Sequence, residues 1–371
     1  MRLKIVTPAA LGMLAVLAST GGTAAAASDA HAAFTLSNAS GGNRVLVFDR
    51  GPGGRLHRVG STATGGLGSG ANLGSQGALA LSGDGSHLYA VNAGSNTLSV
   101  LGVAGLHVWR EQVVGTAGTQ PISVTASWNR VYVLNSGDST VTGFAVTASG
   151  RLRRIAGAHR SLAAGDSGPA QVSLDPSGRV LVVTNKASNT IDTFRVRANG
   201  ALRPAVPHAS NGSTPFGFAF ARSGVLIVSD ASEAPTSAAT AYHVGRFGGL
   251  RSISGPVQTN QQAACWVATS PGGRWAFVAD AHSGTVATFA VSQTGKLSLV
   301  DPSGISGSGG AGSTTLDEAV TGNGRYLSVL VYNTTPGVNA LVSFRIGSDG
   351  SLMRLNAARG VPSSAVGLVT D

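Results

Sequence analysis

Residues 170–204 read AQVSLDPSGRVLVVTNKASNTIDTFRVRANGALRP, and their punctuation decides the fold. Ala170 to Leu174 is short and apolar. Asp175-Pro176-Ser177-Gly178 is a turn, Arg179 to Thr184 is β-rich, and Asn185 to Asn189 is a second turn. Thr190 to Val196 alternates like a strand, Arg197-Ala198-Asn199-Gly200 turns again, and a fourth short strand is expected near Leu202. Four short strands joined by three tight turns predict an antiparallel meander.

The unit recurs. Its third turn returns as Gly54-Arg55-Leu56, Gly105-Leu106, Gly150-Arg151-Leu152, Gly200-Ala201-Leu202, Gly249-Leu250, Gly295-Lys296-Leu297 and Gly350-Ser351-Leu352. A spacing of 45 to 55 residues marks an array of one supersecondary unit. The first turn returns as Gly83-Asp84-Gly85, Pro271-Gly272-Gly273 and Gly322-Asn323-Gly324, where glycine supplies the positive φ of tight hairpins. The second returns as Asn92 to Asn96, Asn135 to Ser139 and Asp280 to Gly284, in which Asn or Asp bonds its own backbone.

A four-stranded sheet cannot cover both faces alone. Stacked radially, such sheets cover one another, which predicts an all-β, seven-bladed β-propeller. Six blades start near residues 77, 122, 170, 216, 264 and 315. The first lacks its innermost strand, having only Phe34–Asn38, Arg44–Phe48 and the stretch after Leu56. The chain end, residues 365–369, is expected to complete that blade and close the ring.

The N-terminus is an address. Arg2 and Lys4 precede a mostly apolar run, and Thr23 to Ala27 offers small-residue cleavage sites, so residues 1–27 are expected to be a secretory signal peptide. Residues 28–371 would then form a single propeller domain. The run is shorter than the roughly 20 residues of a spanning helix, so no membrane span is expected after signal removal. The expected location is extracellular or periplasmic, and the expected state is a monomer.

The chain carries a net charge of +10, or +8 without Arg2 and Lys4. Its densest basic run is Arg151-Leu152-Arg153-Arg154. Nucleic-acid binding would need clustered Lys/Arg with aromatic platforms, so none is expected and the charge reads as a solvated surface. An anionic small substrate or an acidic cell surface stays compatible with it. Cys265 is the only cysteine, so no intramolecular disulfide can form. No metal-ligand set or cofactor motif emerges. The glycine-rich stretches Gly65–Gly77 and Gly304–Gly312 read as flexible inter-blade loops.

Leu88 to Val100 (LYAVNAGSNTLSV) resembles the surface-protein propeller repeat typified by Tyr-Val-Thr-Asn. With its Gly-x-Leu turns, Val182 to Ile191, Thr214-Pro215-Phe216-Gly217-Phe218 and Ala264-Cys265-Trp266-Val267, the chain resembles the lactonase family of seven-bladed propellers. That family includes 6-phosphogluconolactonases and carboxymuconate-cyclising enzymes. The resemblance implies lactone hydrolysis. It also implies a His-x-His, an Arg-His and a Glu, and these fall on Gly168 and Ala170, on Cys265 and Trp266, and on Ala93. The family's polar cluster therefore does not transfer, and one fold hosts many functions.

In a meander, the start of the first strand and the end of the second share one edge. The channel mouth on that face is the expected ligand pocket. Gln171, Asn185, Lys186, Asp230, Glu233, Gln262, Cys265, Trp266, Asp280, His282, Asp317 and Glu318 are placed there. Lactone hydrolysis needs a base for water and a donor or cation for the oxyanion. Asp317, Glu318 and His282 are the base candidates. Lys186 is the cation candidate, since only it and Lys296 remain after signal removal. The other eight would contact substrate. Asp317 and Glu318 are expected to point to opposite faces of their strand.

Two functions stay open. One is hydrolysis of a small anionic lactone. The other is a non-catalytic extracellular or cell-surface propeller that binds a glycan, peptide or cell-wall component. Lys186, Asp317 and His282 in one pocket would favour the first; their dispersal, with an apolar or plugged channel, would favour the second.

Overall fold

The computed structural model describes residues 31–371 except 166, 222–223, 233–236 and 336, with backbone alone at 334 and 335. The expected signal peptide and Glu233 lie outside the described residues. Within them the chain forms seven antiparallel sheets. Six have innermost strands β4 (Leu79–Leu81), β8 (Pro121–Ser127), β12 (Pro169–Leu174), β16 (Pro215–Phe220), β20 (Ala264–Thr269) and β25 (Thr314–Val320), each within two residues of its expected start. The seventh takes its innermost strand, β29 (Val366–Thr370), from the far end of the chain, followed by β1 (Ala32–Leu36), β2 (Arg44–Arg50) and β3 (Leu56–Ala63). The innermost strands contact one another around a closed ring.

Ring closure is bonded in detail. Phe34 pairs with Val369 and Thr35 with Leu368. The Thr35 hydroxyl donates to the Gly367 carbonyl at 2.6 Å, and the Asp371 carboxylate accepts the Ala32 amide at 2.9 and 3.0 Å. Arg50 lies 4.0 Å from the same carboxylate.

The core sits between blades. The second strands, such as β13 (Val180–Asn185) and β17 (Val225–Asp230), are buried at every position. Their unbroken apolar runs fit burial on both faces. Outer strands such as β3 and β11 (Leu152–Ser161) are largely exposed. One cluster joins Val45 and Val47 of the first blade, Leu88 and Ala90 of the second, and Val131 and Val133 of the third.

The recurrent glycine has two reasons to be glycine. Gly54 has φ +82°, and a Cβ there would lie 2.1 Å from the Tyr326 ring of the preceding blade. Gly200 repeats this, with φ +84° and a Cβ position 2.6 Å from Ile155. The turn is thus a hairpin end and an inter-blade contact at once. In the fifth blade it is Gly248, at φ +88°, that takes this conformation, so the expected Gly249-Leu250 shifts to Gly248-Gly249-Leu250. Gly54→Ala is expected to cost about 2 kcal/mol or more, from φ strain and the Tyr326 contact, read as a lower urea midpoint at unchanged slope.

Two expectations shift. Leu202 forms only a single bridge, to Val196, and the fourth strand of that blade is β15 (Val206–Ala209). In the sixth blade two short strands, β23 (Leu297–Leu299) and β24 (Gly307–Ser308), both pair with β22 (Thr285–Val291).

Candidate functional site

Each innermost strand pairs on one edge only. The free edge faces the channel, and its backbone groups need partners. Side chains of other blades supply them. Gln171 exchanges two hydrogen bonds with Phe218, its amide donating to the carbonyl at 2.9 Å and its Oε1 accepting the N–H at 2.6 Å. Gln76 does the same with Val267, at 2.8 and 2.9 Å. Asp317 accepts the N–H of Gly367 at 3.0 Å and, more weakly, that of Gly77 at 3.4 Å. Glu318 accepts the N–H of Ala268 at 3.0 Å. The two acids therefore reach toward opposite neighbouring blades, as their alternation on β25 predicts.

The mouth expected to hold the ligand is covered. Residues 65–77, expected to be a flexible linker, cross it and are bonded on several sides. The Lys186 Nζ donates to the Gly74 carbonyl at 2.6 Å, and the Trp266 Nε1 to the Ser75 carbonyl at 3.0 Å. The Ser75 hydroxyl donates to the Ile122 carbonyl at 2.9 Å, and the Gln76 N–H to the Ala170 carbonyl at 3.1 Å. These contacts tie the loop to the third, fourth and sixth blades. Lys186 also sits 4.8 Å from the Phe216 ring centroid, and its pKa is lowered by burial, with Cys265 acting the other way.

The channel opens at the opposite end. Along β4, β8, β16, β25 and β29 burial gives way to partial exposure at the last residues. The cavity there has a volume of about 340 Å³, with Gln76, Gln171, Asp317 and Glu318 among its lining. Asp317 is only 3% exposed and Glu318 5%. Burial pushes Asp317 up to about 7, against the two backbone N–H bonds it accepts. Burial raises Glu318 well above the carboxylate range, the Ala268 N–H opposing and the charges of Asp280 and Asp317 adding to the shift. Its Oε2 is buried and makes no hydrogen bond among the described residues.

The other expected residues are elsewhere. Asn185, Asp230 and Asp280 are fully buried, which corrects their placement at a solvent-facing mouth. As last residues of second strands, they turn inward between strands. Asn185 bonds Ser167 and Thr190, and Asp230 accepts the Thr240 hydroxyl at 2.6 Å. Asn92 and Asn135 make the same kind of tie, to Thr97 and Thr140. Burial raises Asp230 to about 7 and lifts Asp280 well above its ordinary value. Cys265 and Trp266 are buried beneath the loop, Trp266 packed 5.1 Å from Phe216. His282 and Gln262 are exposed and do not line the cavity. Of the four catalytic candidates, the cavity therefore unites Asp317 and Glu318 and omits Lys186 and His282.

A sequence-family profile described as "Lactonase, 7-bladed beta-propeller" matches residues 112–233. This chain is similar to the lactonase propellers. Among solved structures, the periplasmic gluconolactonase of Pseudomonas aeruginosa aligns with this lactonase-like propeller at TM-score 0.68 and 18% identity, covering 91% of this chain and 98% of that one. A 6-phosphogluconolactonase candidate from Bacteroides uniformis aligns at TM-score 0.69 and 18% identity, covering 91% and 99%. A functionally unknown protein from Desulfotomaculum acetoxidans aligns at 0.69 and 13%, covering 92% and 98%. Identities this low establish the shared fold alone. No curated protein matches by sequence. In this lactonase-like propeller, Ala170 and Trp266 bond the loop that fills the mouth.

Gln76 and the loop were the part of the site that sequence reasoning missed. The available signal was the polar Ser75-Gln76 pair leading straight into a blade, at the end of an otherwise glycine-rich stretch.

Proposed function

We propose that this propeller hydrolyses a small, uncharged lactone in the central cavity, as an exported protein. One observation carries the reading. Two adjacent carboxyls line the cavity, Asp317 raised by burial to about 7 and Glu318 raised by burial well above its ordinary value. Environments that push paired acids apart assign them acid and base roles. Asp317 is the base. Each of its oxygens accepts one backbone bond and keeps a lone pair for water. Glu318 is the acid; its Oε1 accepts the Ala268 N–H, and its Oε2 is buried without a hydrogen-bond partner among the described residues.

The step balances with water alone. Asp317 takes a proton from water as the oxygen attacks the lactone carbonyl. The acyl–oxygen bond breaks, and Glu318 protonates the departing ring oxygen. Proton return to Glu318 from Asp317 through solvent resets the pair and leaves a hydroxy acid. The anionic substrate expected from sequence fits this cavity poorly, because two acids line it and Lys186 is engaged with Gly74. The same acids would repel the ionised product.

The similarity to lactonase propellers supports this reaction class, and the likeness to a periplasmic protein supports export. The test is acid release from a panel of neutral sugar and aliphatic lactones. Asp317→Asn and Glu318→Gln are each expected to lower kcat by roughly 10²-fold or more, while Lys186→Ala changes it little. The binding reading has its own support, since Lys186 and His282 are dispersed and the expected mouth is plugged. Absence of turnover by folded protein would select it.

A further inference from the structure

The sequence shows no basic run longer than four residues, yet the fold gathers arginines. Residues 130–251 carry 13 of the 26 Lys and Arg but only 6 of the 16 Asp and Glu. Arg130, Arg179, Arg195, Arg197 and Arg246 come from three consecutive blades and line one cavity of about 370 Å³. It lies on the face carrying the first and third turns of these blades, away from the loop-covered mouth. Ser177-Gly178 belongs to one turn, Arg197-Ala198 to the next, and Arg246-Phe247 to the last.

This is a shaped site. Phe247, 57% exposed, holds the Arg246 guanidinium at 4.3 Å and the Arg195 guanidinium at 4.8 Å from its ring centroid. Stacking on an aromatic face orients the planar forks and leaves their N–H edges free for an anion. The Arg130 guanidinium donates to the Ala198 carbonyl, which fixes it against the middle turn. The turns are locked to preceding blades: the Tyr132 hydroxyl donates to the Gly200 carbonyl at 2.7 Å, and Thr193 to the Gly248 carbonyl at 2.7 Å. None of the five arginines forms an ion pair among the described residues. Asp175, in the first turn, is occupied by the backbone N–H groups of Ser177, Arg179 and Val180.

We infer that this cavity is a compact binding site for a phosphate- or sulfate-bearing ligand. Five guanidiniums that form no ion pair among the described residues, around a pocket of this size, match the oxygens of one or two tetrahedral anions, which arginine takes through paired N–H···O bonds. The group could arrive as a small phosphate ester or at the terminus of a glycan, and the recognising chemistry is the same. The site is separate from the central cavity and does not depend on the hydrolytic reading.

The test is titration calorimetry with inorganic pyrophosphate and with a short heparin-derived oligosaccharide at physiological ionic strength. A 1:1 complex with either probe is expected, weakened at least tenfold in Arg179→Ser/Arg246→Ser. The control Arg345→Ser/Arg359→Ser removes two exposed charges from the seventh blade and is expected to change affinity less than twofold. All four side chains are exposed, so both variants should keep the wild-type melting temperature. The stronger probe identifies the source of the anion. Equal weakening in both variants, or oligosaccharide binding that pyrophosphate fails to displace, would reduce the site to a diffuse positive field and overturn the inference. So would the absence of a 1:1 complex with either probe.

Discussion

Acidifying this protein from pH 8 to pH 5 is expected to stabilise it. Asp317 and Asp230 are carboxyls that burial raises from 3.8 to about 7 in the folded chain. A raised folded pKa means that the native state holds the proton more tightly than the unfolded state. Its contribution is complete below the unfolded value near 4 and is lost as pH rises through about 7. Each group should contribute on the order of 2–3 kcal/mol between pH 8 and pH 5. Glu318 and Asp280, also raised by burial, act in the same direction. Asp84, lowered to about 2 by its bonds to Ser82 and Ser86, works the other way only at more acid pH. Growing positive charge opposes the effect through self-repulsion. The measurement is urea unfolding across that range, with Asp317→Asn/Asp230→Asn alongside. The double variant should lose the share of the slope that these two carboxyls supply, leaving that of Glu318 and Asp280. Wild-type stability that is flat, or that falls toward pH 5, would mean that these carboxyls are ionised and solvated in the folded protein.

Removing residues 365–371 is expected to abolish the cooperative fold. The segment supplies the whole innermost strand of the first blade, and with it Val366 and Leu368 from two core clusters. Deletion leaves the β1 edge unpaired and strips Asp317 of the Gly367 N–H, its closer hydrogen bond. It also removes Asp371, the partner of the Ala32 amide and of the buried Arg50. An unpaired buried cation and an open ring edge together should exceed the usual 5–15 kcal/mol stability of a domain. The truncated chain should therefore lose its sharp melting transition and elute as an expanded or aggregated species. A cooperative transition within a few degrees of full length would show that the ring does not depend on its terminal strand.

The architecture was legible because the repeat encodes inter-blade contacts as well as turns. Gly54 and Gly200 are needed twice, for positive φ and for the approach of the neighbouring blade, and such double constraints recur at fixed spacing. The missing first strand and its supply by residues 365–369 followed from counting strands. The site was legible only in part. Asp317 and Glu318 stood out as two acids entering a blade that is otherwise apolar. Asn185, Asp230 and Asp280 also sit where a mouth was expected, but the final side chain of a buried strand turns between strands, a choice of direction that spacing does not encode. Lys186 looked free because the carbonyl it bonds, Gly74, lies 112 residues away. The five arginines looked dispersed for the same reason: their proximity exists only after three blades have stacked.

The most direct test of the hydrolytic account is the pH dependence of lactone turnover by the purified protein. If Asp317 is the base and Glu318 the acid, kcat should rise through a midpoint near pH 7 as Asp317 ionises, then fall at higher pH as Glu318 loses its proton. Asp317→Asn should abolish the lower limb. Turnover that is independent of pH between 5 and 9, that persists in Asp317→Asn, or that never exceeds the buffer rate would contradict the assignment of chemistry to the central cavity.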